Sequence, residues 1–193
     1  MNRSLVASSV LFAVAAVVAT SAATTTAGAP GADTPAARGK YLVSAMGCAD
    51  CHTPWKMGPD GPAPDPERML SGHPAALVMP PAPKLPPGPW LGSFGATNTA
   101  WAGPWGVSFT ANLTPDEETG LGRWTEDNFV QAIRTGRHMG KGRPILPPMP
   151  LQAIVNFTDD DLRAIFAYLR TLNPIRNLVP EPVAPAEESA AAR

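Results

Sequence analysis

Cysteine is scarce in this chain. Two residues of 193 are cysteine, which excludes a scaffold stapled by several disulfides. A surplus of basic charge is also missing: 15 lysines and arginines face 16 aspartates and glutamates, for a net charge of -1. A nucleic-acid binder needs a clear positive excess to neutralise phosphates, so that class is set aside. Charged residues of either sign make up only 16%. Strand-like alternation is not visible. Long apolar runs are lacking too; Leu5 to Ala19, broken only by Ser8 and Ser9, would reach about 22 Å as a helix, short of the ~30 Å of a bilayer core. What abounds is proline, with 24 residues, about 12% against a usual ~5%. That density excludes a mostly-sheet protein and long uninterrupted helices, because proline has no amide donor and a fixed φ. The 44% of hydrophobic residues still suffices for a core.

The chain is long enough for one ordinary domain with appendages. Met1-Asn2-Arg3, the apolar run and the small residues Thr20-Ser21-Ala22-Ala23 read as an export signal over 1–23, cut after Ala23, with Ala29 as the second site and an uncleaved anchor as the alternative. The mature protein is then expected in the periplasm, with no membrane span once the signal is removed. Residues 24–33 read as a linker, 34–173 as the folded domain, and 174–193 as a flexible tail that is Pro-, Ala- and Glu-rich from Pro180 onward.

Three helices are expected, and the chain reads as all-α. The first runs from about Thr34 to Met46, with Thr34 as N-cap and Pro35 at its first position. The second runs from Thr125 to Thr135 and stops at Gly136. The third starts at Thr158, places Asp159, Asp160 and Asp161 in its first turn, and carries the apolar stripe Leu162, Ile165, Phe166, Leu169. Between the first two, residues 55–108 hold 12 prolines and 8 glycines. Little regular structure is expected there, but Trp90, Phe94, Trp101 and Trp105 argue for an ordered excursion that packs onto something.

Both cysteines fall in Cys48-Ala49-Asp50-Cys51-His52, the C-x-x-C-H pattern of covalent c-type haem attachment. Two thiols three positions apart reach the two vinyl groups on one porphyrin edge, and the next residue turns its imidazole toward the iron. Chance placement of two cysteines and a histidine in this order is on the order of 1 in 6,000. The alternatives are a plain disulfide, a thioredoxin-type pair, which wants a βαβ surround, and half a zinc site, which wants two further ligands. On the haem reading Cys48 and Cys51 bind the cofactor, and His52 ligates iron through one ring nitrogen. Its other nitrogen then donates to a backbone carbonyl, for which Pro59, Pro62 and Pro64 are candidates.

The second axial ligand must be held rigidly. Met149, flanked by Pro147, Pro148 and Pro150, fits best; Met79 follows, then His73 and His138. Met46, Met57, Met69 and Met139 read as core or flexible positions. Trp124 and Arg143 are candidate donors to haem propionates, with a core aromatic and a solvated charge as the equal alternatives.

Arg38-Gly39-Lys40-Tyr41-Leu42, the Cys48 to His52 motif, Met149 in its proline loop and Leu162 to Arg170 together resemble a class I c-type cytochrome over residues 34–173. Asn112-Leu113-Thr114-Pro115-Asp116, Thr119 to Trp124 and Gly142 to Pro150 are similar to the cytochrome domains found beside bacterial periplasmic dehydrogenases. The resemblance implies one covalently bound haem c clasped by the first and last helices. Those helices would cross through Gly39 on the first and an aromatic, Tyr168 or Phe166, on the last. It also implies attachment beyond the inner membrane, in keeping with export, and redox partner proteins, among them a periplasmic dehydrogenase and a terminal oxidase. His52 and Met149 lie 97 positions apart, longer than in a minimal member, and the 55–108 excursion accounts for the excess. The expected function is electron transfer by Fe(II)/Fe(III) cycling, as a carrier or a dehydrogenase subunit, not as an enzyme. The alternatives are a five-coordinate, peroxidase-like haem enzyme or a haem-based sensor.

Overall fold

Thr34, Thr125 and Thr158 each open a helix for the same local reason. The threonine backbone is extended and its hydroxyl accepts an amide proton from the first turn: Ala37 for α1 (Pro35–Ala45), Asn128 for α3 (Glu126–Thr135) and Asp161 for α5 (Asp159–Leu169). At α3 the Asn128 side chain returns the bond to the Thr125 amide, completing a capping box, and Gly136 ends the helix at φ 64°. The computed structural model describes residues 34–185; the signal and linker expected over 1–33, and residues 186–193, lie outside the described residues. Among the described residues no helix is long and apolar enough to cross a membrane.

The expectation of an all-α chain does not hold. Two short helices join the three, α2 (Cys48–His52) and α4 (Leu151–Ile154). Five strands form two antiparallel sheets inside the excursion: β1 (Trp55–Gly58) with β2 (Gly61–Pro64), and β3 (Ser93–Phe94), β4 (Ala100–Gly103) and β5 (Gly106–Phe109) in that order. The strands are at most four residues long, too short to show alternation. Pro62 and Pro64 are tolerated because a two-stranded hairpin has only edge strands. Gly61 and Gly106 take positive φ where β1 turns into β2 and β4 into β5.

The core is formed by α1, α3 and α5, with Leu42, Val43, Phe129, Ile133, Leu162, Ile165 and Phe166 in one buried cluster. Burying each such side chain stabilises the fold by roughly 1.5–3 kcal/mol. α1 crosses α5 at Gly39, where an added Cβ would meet the Ala164 carbonyl oxygen at 1.8 Å. The residue opposite Gly39 is therefore the Ala164 backbone, and not Tyr168 or Phe166 as the family pattern implied. Arg134 ties the end of α3 to the α4–α5 link through the carbonyls of Val155 and Phe157 and the Asp159 carboxylate.

Residues 174–185 are seated, against the expectation of a flexible tail from 174. Asn177 is buried. Its amide donates to the carbonyls of Ser71 (2.7 Å) and His73 (2.8 Å), and its side-chain oxygen accepts from the Ala75 amide at 2.8 Å. Val183 pairs with Val107 through two backbone bonds of 2.8 and 2.9 Å. Asn177→Ala would strand two carbonyls and an amide, each at about 1–3 kcal/mol. The expected loss is about 3–5 kcal/mol, read as a lower urea midpoint at constant m. A loss below about 1 kcal/mol would show that water replaces the side chain.

Candidate functional site

Gly47 sits in the left-handed region at φ 63°, breaks α1 and restarts the chain as α2. On that short helix Cys48 and Cys51 are three residues apart, so both side chains lie on one face. The thiols are free. Burial, helped by the charge of Asp50, pushes Cys48 up to about 11 and raises Cys51 as well. Both thiols are therefore protonated at neutral pH. A redox dithiol needs a depressed thiolate pKa, so a thioredoxin-like pair does not suit this environment.

α2 is held from outside by the excursion. The Asp50 carbonyl accepts from the Trp55 indole (3.1 Å) and the Asn98 amide (2.8 Å), and the Gly72 amide donates to the His52 carbonyl at 2.7 Å. His52 is buried. Its Nδ1 donates to the Ala111 carbonyl at 2.8 Å; Pro59, Pro62 and Pro64 do not supply the acceptor. Burial lowers the His52 pKa below 6.5, partly offset by the Ala111 bond, so the ring is neutral. With Nδ1–H committed to Ala111, the lone pair sits on Nε2, the tautomer an iron ligand needs. Gly72 makes this possible: at φ 77°, a Cβ there would lie 2.5–2.7 Å from Thr110 and Ala111 backbone atoms. Neither Gly72 nor Ala111 stands out in the sequence, because their partners are distant along the chain.

Met149 packs against the core cluster that Cys48 and Ala49 also border. The other candidates are differently employed. Met79 lies against Gly95 in a cavity beside the β3–β4 pair. Met69 Sδ accepts from the Thr53 hydroxyl at 3.5 Å. Met57 and Met139 are exposed. His73 is fully buried with both nitrogens engaged, Nδ1 to the Thr99 hydroxyl and Nε2 to the Leu77 carbonyl, each at 2.9 Å. It has no nitrogen left for iron. His138 stands on the surface, edge-on to Trp124. Arg143 is paired with Glu181 at 2.9 Å, and Trp124 packs against the core.

His73 carries a pH prediction. Burial pushes its pKa below 6.5, and Arg68 acts in the same direction while the Leu77 carbonyl opposes. The unfolded chain then takes up the proton first as pH falls. The contribution is whole above 6.5 and shrinks below it. The urea midpoint is expected to drop from about pH 7 to about pH 5 more steeply in the wild type than in His73→Gln. Parallel slopes would contradict this.

Among the described residues no three His, Cys, Asp or Glu side chains gather as a metal site. Paired thiols and a neutral imidazole, with a thioether against the same core cluster, instead suit a metal that arrives inside a macrocycle. The indole N–H groups of Trp101 and Trp105 and the hydroxyls of Ser71 and Thr110 are buried without a protein partner, which is uncommon for buried donors.

A family model described as cytochrome c matches residues 36–173. The chain belongs to the cytochrome c family. Three relatives are similar to this cytochrome. A nicotinate dehydrogenase subunit of Pseudomonas putida is 30% identical over 143 residues, 74% of this chain and 9% of that protein. The alcohol dehydrogenase (quinone) cytochrome c subunit of Gluconacetobacter polyoxogenes is 34% identical over 154 residues, 76% of this chain and 26% of its own. The fructose dehydrogenase cytochrome subunit of Gluconobacter japonicus is 29% identical over 134 residues, 69% of this chain and 20% of its own. The cytochrome thus spans about a quarter or less of the relatives it matches. Its family implies haem c, for which the chain offers one C-x-x-C-H motif.

Proposed function

We propose that this cytochrome is a monohaem electron carrier of the periplasm, exported by residues 1–23, that accepts electrons from a dehydrogenase as a free carrier or as its subunit. The observation that carries the reading is the Nδ1 bond from buried, neutral His52 to Ala111, directly after two thiols on one helical face. When bound, haem supplies an iron that exchanges one electron between its ferrous and ferric states. Cys48 and Cys51 would hold it through thioethers, with His52 Nε2 and Met149 Sδ as the iron's ligands. Two such ligands would leave oxygen and peroxide no place to bind, so one-electron exchange would be the chemistry left. Because α2 is bonded from outside by the excursion and prolines restrict the loop backbone, the chain would rearrange little when the charge changes.

The dehydrogenase partner rests on the relatives' names, which bear on the donor side only. A terminal oxidase as acceptor has no such support. An enzymatic alternative would need a distal acid–base group; of the two candidates, His73 has both nitrogens committed and His138 stands on the surface. The test is a redox titration of the exported protein, with peroxide turnover assayed in parallel. A single reversible one-electron wave without turnover is expected. Rapid peroxide consumption would replace the carrier by an enzyme.

A further inference from the structure

The loop that carries Met149 is held at its two ends by backbone bonds, from the Ile145 amide to the Gly136 carbonyl and from the Leu151 amide to the Met149 carbonyl, each at 2.8 Å, but its middle has few of its own. Pro147, Pro148 and Pro150 have no amide proton, and the Met149 amide makes only a 3.3 Å bond to the Leu146 carbonyl. Among the described residues one side chain reaches residues 144–150 by a hydrogen bond. Ser108 Oγ lies 2.6 Å from the Pro147 carbonyl oxygen and 3.4 Å from that of Trp101. The hydroxyl has a single proton, and the shorter contact takes it.

Ser108 is itself firmly placed. It is buried and sits in the middle of β5, paired with Trp101 of β4 on one side. Its neighbour Val107 bonds to Val183 on the other. The same tail segment reaches the loop again through Glu181 and Arg143 at 2.9 Å.

We propose that Ser108 is a positioning residue for Met149. Its hydroxyl pins the Pro147 carbonyl, two residues before the methionine, and so governs how often the thioether leaves the iron. The inference rests on Met149 as the axial ligand. It also gives the excursion a purpose, since β5 becomes the anchor against which the ligand loop is set.

Added imidazole tests this on ferric holoprotein, because it can take the axial position only while Met149 is away. The signal is the shift of the main haem absorption band, which reads every variant; where the thioether is bound, loss of the far-red thioether–iron band accompanies it. Ser108→Ala is expected to bind imidazole about tenfold more tightly, the factor of one lost buried hydrogen bond. Ser108→Thr, which keeps the hydroxyl, should return to within about twofold of the wild type. An imidazole constant unchanged in Ser108→Ala overturns the proposal, even if the urea midpoint falls, since the bond would then be merely structural. If the wild type and Met149→Ala bind imidazole equally well, the methionine assignment fails first and takes the proposal with it, so the two failures can be told apart.

Discussion

Gly39→Ala is expected to destabilise the protein by at least about 3 kcal/mol, the upper end for overpacking. Helix propensity acts the other way, since alanine is a better helix former than glycine by about 1 kcal/mol. The sign of the result therefore decides between propensity and packing. The added methyl would lie 1.8 Å from the Ala164 carbonyl oxygen, 2.5 Å from its carbon and 2.9 Å from the Ile165 amide nitrogen. All three are backbone atoms, so no rotamer change makes room. α1 and α5 must part, and parting them strips Leu42 and Val43 from the cluster that holds Leu162, Ile165 and Phe166. Urea unfolding of the holoprotein reads the effect. A variant as stable as the wild type would mean that the helices do not meet at this position.

Met149→Ala is expected to lower the reduction potential by on the order of 0.1–0.3 V, a fraction of the range that axial ligands command. A soft thioether stabilises the ferrous state, and its loss removes that preference. The far-red band of the ferric protein should vanish, and small ligands should bind more tightly than in the wild type. Met79→Ala is the control. Its sulfur lies against Gly95 beside the β3–β4 pair, so band and potential should stay. If instead Met79→Ala removes the band, the ligand comes from the excursion and the loop before α4 has another purpose.

What the sequence discloses here is what local chemistry decides. The threonine caps at 34, 125 and 158 and the glycine stop at 136 act within one helical turn, so their signals lie side by side in the chain. The C-x-x-C-H motif is legible for the same reason: its chemistry needs only five consecutive residues. The sheets are not legible. Trp55 finds Pro64, and Ala100 finds Phe109, in strands whose prolines, glycines and alanines carry no period. The acceptor for His52 lies 59 residues away and the bonds of Asn177 reach back more than 100. No local pattern announces such partners. The tail reads as unstructured from its proline, alanine and glutamate content, yet Asn177 and Val183 fasten it by polar contacts that hydrophobicity does not register.

The most direct measurement is acid-acetone extraction of the denatured holoprotein, followed by its intact mass. A haem held by Cys48 and Cys51 must stay red with the polypeptide and add the mass of one porphyrin. Colour passing into the solvent, or a mass equal to the bare chain, would show that no such bond forms.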